Sequence, residues 1–405
     1  VLYTCARQLE GGITATMHLD TNYGLGPLEP YEDRLRKLIA AYGDSGMRFS
    51  VALPFRDPDI DDPYLEEGFL AGLTAEVRGE IERWPRPSTD LESCFRLYAK
   101  LGRDFAGASL QYEPVTHGAS SHEYLRAIRN EARSRGLRMQ LHLLETAYQK
   151  AYSLKRFGKT NVERLAEIGL IDSEVSCAHC VWLTERDIAI LRDAGAKVAH
   201  LPSANLRLRS GLAPIKRMVE AGIPVALGTD NLGLNDDEDI LQEARLAQVL
   251  QSPPGIGEPP IGPETALHWA TQAGAQVLGM QGLGSLDPGS PADLVLVHIG
   301  SIERSLFEHG HDVAASVVQW IRQSDIDQVL VGGQVLVRNG RYVFRDRDEL
   351  ERKAYEGQRQ WALTPAARFI RSEIAGRYAS QEIGGEPYYP LHSRTAETTK
   401  GRTRQ

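Results

Sequence analysis

Four side chains in this sequence combine reactive chemistry with a suggestive position: His142 in MQLHLLET, Glu145 three residues later, His179 in VSCAHCVWL and Asp230 in PVALGTDN. His142, His179 and Asp230 each end an apolar run at the point where a polar loop begins. In a parallel barrel the C-terminal ends of the strands form the face where active sites are built. Two imidazoles and two carboxylates converging there describe a hydrolytic metal site. Asp230 suits two tasks, binding a divalent ion and accepting a proton from a water that the ion has acidified to a pKa near 7. Glu145 stands at an odd spacing from His142, which in an extended strand would put it on the opposite face. It is therefore expected where strand gives way to loop, bent back over the site.

Such a site needs a scaffold that delivers strand ends to one place. Strand signals fall at 13–19, 47–55, 108–115, 137–145, 174–183, 197–202 and 224–230, with helical patterns between them. The segment TERDIAILRDAG has a Thr N-cap and a closing Gly, and SHEYLRAIRNEARSRG has a helical apolar stripe. Regular alternation implies right-handed βαβ units and a parallel sheet. Seven strands are one short of a closed (β/α)8 barrel. The chain opens on VLYTCARQLEGG, read as a helix already under way, so the first strand is expected to be missing by truncation. Beyond 251, SPPGIGEPPIGP is a loop and ETALHWATQAGAQVLGM a helix. SLDPGSPADLVLVHI reads as a turn and a strand, and DQVLVGGQVLVRNGRYV as short strands around Gly-Gly and Asn-Gly turns. The expected organisation is a barrel lacking its first strand over 1–285, part of a small β-sandwich subdomain over 286–345, and a helical extension with a polar tail over 346–405.

Composition narrows the function. A net charge of -8 argues against binding nucleic acid. No apolar run approaches the roughly 18 residues of a membrane helix. Four cysteines are too few for a disulfide framework, which favours a reducing, cytoplasmic setting. Cys177 and Cys180 in CAHC point to opposite faces of a strand and read as packing residues rather than a redox or zinc pair.

HLLET, AHCVWL, HLPSANLRLRSGLAPIKRMVEAGIPVALGTDN and GSLDPGSPADLVLV together resemble the metal-dependent amidohydrolase superfamily. The resemblance is to its branch of guanine, adenosylhomocysteine and methylthioadenosine deaminases and triazine hydrolases. It covers nearly the whole chain, and the stretch running from His200 through Ser203 and Asn205 toward Asp230 is its most specific part. The resemblance implies His142 and Asp230 as ligands of one zinc ion per subunit, with iron the alternative. It implies Glu145 as the proton shuttle to a substrate ring nitrogen, and His179 as the group polarising the attacked centre. His200, Ser203 and Asn205 are expected to shape the site wall. His18 is expected to reach the pocket from the second strand of the full barrel, and His117 and His122 to lie in a nearby loop.

The chain departs from the family at one point. The H-x-H pair that supplies two metal ligands from the first strand does not occur before His18, and the pair His309 and His311 is read as coincidence. Two protein ligands are too few for tight binding. The expected protein is thus a deaminase of an aminated N-heterocycle (purine, pterin, pyrimidine or triazine type), acting on a small molecule as a homodimer. Alternatives are a chloro- or alkylamine hydrolase, an amidase, or a non-catalytic barrel.

Overall fold

The computed structural model describes residues 1–20, 28–57, 74, 75, 78, 79, 90–231, 234, 235, 237–253, 259–300 and 312–360. His309, His311 and the polar tail lie outside the described residues.

Seven parallel strands form one sheet in sequence order: β1 (Ala15–Leu19), β2 (Arg48–Phe55), β3 (Ser109–Pro114), β4 (Arg138–Leu143), β5 (Val175–His179), β6 (Lys197–His200) and β7 (Val225–Leu227). Each falls inside a segment expected from the sequence. Helices separate them: α1 (Leu2–Glu10) precedes β1, α2 (Leu28–Ser45) precedes β2, and α3 (Leu91–Asp104), α4 (His122–Ser134), α5 (Ala147–Phe157), α6 (Asn161–Glu167) and α7 (Glu185–Ala194) follow. Capping chemistry sets several ends. Thr184 accepts from the Asp187 N–H while Asp187 answers to the Thr184 N–H, and Gly195 closes α7 in the left-handed region. After β6 come α8 (Pro202–Arg207) and α9 (Ile215–Glu220), and after β7 come α10 (Ile240–Gln251), α11 (Pro263–Ala270) and α12 (Gln272–Leu278).

The sheet curls. Met17 of β1 and Ala226 of β7, on its two edges, share one buried cluster with Ala273 and Val277 of α12. Small residues on α12 let the helix sit against both edges. The inward face carries a polar layer below the strand ends: Ser109 and Gln111 donate to Ser50, and Ser176 donates to Gln140. Period-two alternation places Glu113 and His142 on that same face, two residues beyond Gln111 and Gln140. The opposite faces and the helices form the main apolar core, where Leu53, Leu141, Cys177 and Val198 are fully buried.

A second, antiparallel sheet contains β8 (Leu294–Val297), β9 (Ile326–Val331), β10 (Gln334–Arg338) and β11 (Arg341–Tyr342), in the order β11-β10-β9-β8. Between β8 and β9 lies α13 (Val313–Trp320), and α14 (Arg347–Gln360) ends the described chain. Asp293 anchors this sheet to the barrel by accepting from Arg48 at 2.6 and 2.9 Å and from the Gly332 N–H at 2.8 Å.

Candidate active site

Left-handed backbone at non-glycine residues is uncommon and costs roughly 1 kcal/mol or more each. Here it collects at the strand ends: Leu144 (φ 46°) after β4, His179 (φ 68°) and Cys180 (φ 50°) at β5, and Asp230 (φ 66°) after β7. Each such residue breaks the strand alternation and re-aims the side chains around it. The Leu144 turn is what brings Glu145 back toward the site, with its carboxylate oxygen Oε2 4.0 Å from His179 Nε2. The rings of His142 and His179 lie near-parallel with centroids 5.5 Å apart.

His142 Nδ1 donates to the Glu113 carboxylate at 2.7 Å, and Glu113 is only 2% exposed. Burial alone would strip the ring of its proton. The Glu113 charge and hydrogen bond, with Glu145 and Asp230 behind them, overcome that and carry His142 up to about 9. His179 Nδ1 donates to Asn205 Oδ1 at 2.9 Å. Burial lowers the pKa of His179 against the pull of Glu145, which favours the neutral ring. Burial raises the pKa of Asp230, Glu145 adds to the rise, and the two imidazoles oppose it. These mutual influences tie His142, Glu145, His179 and Asp230 into one electrostatic unit.

His200 ends β6 beside His179. It is 2% exposed, and neither ring nitrogen has a hydrogen-bond partner in the structure. Burial and the neighbouring imidazole push its pKa down to about 3. Ser203 holds the wall rather than reaching in: its N–H donates to Glu243 at 3.1 Å and its hydroxyl accepts from Asn235 at 3.2 Å. Asn235 also donates to Glu243. Glu243 of α10 thereby bridges the segment after β6 and the segment after β7.

His18 is a correction. Its Nδ1 pairs with the Tyr42 hydroxyl at 3.0 Å and its ring packs edge-on against Tyr42 of α2. Met17 takes the inward position on β1, so alternation turns His18 to the helical layer instead of the pocket. His117 is buried, with Nε2 donating to the His142 carbonyl at 2.9 Å and Nδ1 accepting from Asn161 at 2.9 Å. His122 opens α4. Cys177 and Cys180 are buried free thiols.

Sequence reasoning missed Glu113. The available signal was a carboxylate two residues beyond Gln111 and so in phase with it on the inward face of β3.

Residues 5–336 match the amidohydrolase family. The chain belongs to this family. It is 38% identical over 231 residues to the 5-methylthioadenosine/S-adenosylhomocysteine deaminase of Moorella thermoacetica, which covers 56% of this chain and 53% of that protein. It is 33% identical over 291 residues to the 5'-deoxyadenosine deaminase of Methanopyrus kandleri, covering 72% of this chain and 67% of that one. The chain thus spans only about half the length of the first of these relatives. Among solved structures, an adenosine deaminase from Xanthomonas campestris with bound zinc superposes with a TM-score of 0.70 at 23% identity, over 92% of this chain and 74% of that one. A triazine hydrolase variant superposes with a TM-score of 0.73 at 24% identity, over 88% and 74%. At such identities the structural likeness speaks for the fold alone, and it bears out the barrel architecture.

Amidohydrolases depend on metal, and the residues here fit part of such a site. His142 has Nδ1 engaged by a carboxylate and Nε2 left over, the form in which histidines ligate metal. Asp230 offers a carboxylate in the same electrostatic unit. Among the described residues, no group of three or more His, Cys, Asp or Glu side chains is arranged to hold an ion.

Proposed function

We propose that this protein is a hydrolytic deaminase of an aminated nitrogen heterocycle. The observation that carries the reading is Glu145 Oε2 standing 4.0 Å from His179 Nε2, in one charge-coupled group with His142 and Asp230. A divalent ion held by His142 and Asp230 supplies a water acidic enough to ionise near neutral pH.

The chain's own groups account for the proton traffic. Asp230, made more basic by burial, takes a proton from the attacking water. His179 donates its Nδ1–H to Asn205 in a hydrogen bond, so its Nε2 meets the water as an acceptor and steadies the oxygen's charge only once it has itself gained a proton. This refines the purely polarising part expected from the sequence. Glu145 delivers a proton to the ring nitrogen beside the attacked carbon. A C–O bond forms, the exocyclic amine collects the proton held by Asp230, the C–N bond breaks to release ammonia, and His179 passes the second water proton to Glu145 to restore it. An amidase or dipeptidase has no ring nitrogen to protonate, which is why Glu145 favours deamination.

The names of the relatives suggest 6-aminopurine nucleosides as the first substrates to try. Zinc is the proposed ion, supported by the zinc-bound neighbour and by the nitrogen and oxygen donors present. A cytoplasmic homodimer is proposed on the family resemblance and the low cysteine count. Among the described residues, no helix is long and apolar enough to cross a membrane.

The test is ammonia release from a panel of aminated purines, pterins, pyrimidines and triazines, comparing the protein with its Glu145→Gln variant. The variant should lose about 10²- to 10⁴-fold, the usual worth of a positioned proton donor. Turnover confined to N-acyl amino acids would replace deamination with amide hydrolysis. Release of chloride or alkylamine from triazines would replace it with that hydrolysis.

A further inference from the structure

The reaction above makes no use of Glu113, yet this carboxylate is 2% exposed and points into the site. Carboxylates are almost never this buried unless a partner offsets the loss of water. The partner is His142 Nδ1 at 2.7 Å.

We propose that Glu113 is a positioning residue: it fixes the orientation and the protonated nitrogen of His142, and through that ring sets the affinity of the site for a divalent cation. The proposal rests on reading His142 as a metal ligand. A carboxylate accepts and never donates when ionised, so in the neutral ring that binds metal the contact keeps the proton of His142 on Nδ1 and leaves the Nε2 lone pair for the cation. The nearby negative charge also makes that lone pair a stronger donor. The hold is double. The segment that follows β3 carries His117, whose Nε2–H donates to the His142 carbonyl at 2.9 Å, and Asn161 fixes His117 in turn. Ring and backbone of His142 are therefore gripped from the same strand and its loop.

The experiment is a zinc titration of the 405-residue chain and of its Glu113→Gln and Glu113→Leu variants. Melting of each metal-free protein and ¹⁵N spectra of the His142 ring in the zinc-loaded form accompany it. Glu113→Gln keeps an acceptor and loses the charge, and should bind zinc about tenfold more weakly; Glu113→Leu should lose about a hundredfold, the range seen when such supporting groups are removed. Metal-free melting of Glu113→Gln should match wild type, and the His142 Nδ1–H signal should be present in wild type and lost in Glu113→Leu. Should Glu113→Leu fail to fold, Glu113→Gln decides alone. Zinc affinities within threefold of wild type, or an Nδ1–H signal that survives in Glu113→Leu, would overturn the proposal and leave the metalloenzyme reading standing. A wild-type chain that takes up no zinc would sink both.

Discussion

Asn205 Oδ1 accepts the Nδ1 proton of His179 at 2.9 Å, and the other amide atom, Nδ2, has no partner. The contact decides which nitrogen of His179 faces Glu145. Asn205→Leu, close in volume, should therefore leave the fold nearly intact while the ring is free to swing and change tautomer. Turnover should fall about a hundredfold, the scale of a misplaced reacting group. Asn205→Asp restores an acceptor and should recover part of the rate, with a pH profile moved toward higher pH because the added charge favours protonated His179. Steady-state rates across pH for both variants are the check. Equal rates in Asn205→Leu and wild type would remove Asn205 from the mechanism.

His117 ought to matter to stability at any pH near neutral. Burial pulls its pKa down to about 4, so it is a neutral hydrogen-bond relay between Asn161 and the His142 carbonyl. His117→Ala leaves both partners buried and unpaired, at about 1–3 kcal/mol for each. Urea denaturation should show a loss of about 2–6 kcal/mol at pH 8 that shrinks by about 1 kcal/mol at pH 6, where the unfolded imidazole, with a pKa of ~6.5, takes up a proton that the buried ring refuses. A loss under 1 kcal/mol would mean that water replaces the ring.

The barrel could be anticipated because its determinants are local. Apolar runs, Thr184 and Gly195 as caps, and the alternation of elements lie within a few residues of one another. The site was legible only as far as strand ends revealed it. His142 and Asp230 could be picked out because they terminate apolar runs. Glu113 could not, since its meaning depends on a residue 29 positions away. His18 was misread because the position looked like a strand end, while the side that faces inward is decided by Met17 packing on α12. The left-handed turns at Leu144, His179 and Asp230 are also invisible to periodicity, since nothing in Leu, His or Asp demands a positive φ.

Glu243 sets a pH dependence of stability. It is fully buried, and burial raises its pKa to about 7, opposed by its hydrogen bonds from Ser203 and Asn235. An unfolded glutamate releases its proton near pH ~4.3. The folded state thus holds the extra proton between about pH 4.5 and 7, and stability from this group falls as pH rises through that window. Glu243→Gln cannot titrate, so it should gain on wild type by up to about 3 kcal/mol from pH 4.5 to 7.5, at 1.36 kcal/mol per pH unit. Paired denaturation curves at the two pH values give the answer. A constant difference would mean that Glu243 is ionised throughout.

Gly11 tests how the segment beyond Asp230 is held. Its backbone is ordinary, with φ -83°, so a side chain there is not strained by conformation. Space is the constraint, because a Cβ would sit 2.0 Å from the Glu238 carbonyl oxygen. Glu238 is itself fixed by Thr229 at 2.6 Å and Gln8 at 3.3 Å, which joins α1 to the residue just before Asp230. The atoms that the Cβ would meet are backbone atoms of Glu238 rather than a flexible side-chain tip, so Gly11→Ala must push the Glu238 backbone away. The expected result is a loss of about 1–3 kcal/mol, typical of overpacking, together with weaker zinc binding as Thr229 drags Asp230 out of place. Gly43→Ala, inside α2 where a Cβ meets nothing within 4 Å, is the control: it should leave zinc binding unchanged and cost no stability, gaining up to about 1 kcal/mol from helix propensity. Gly11→Ala with full stability and full zinc affinity would show that Glu238 shifts without disturbing the Asp230 carboxylate.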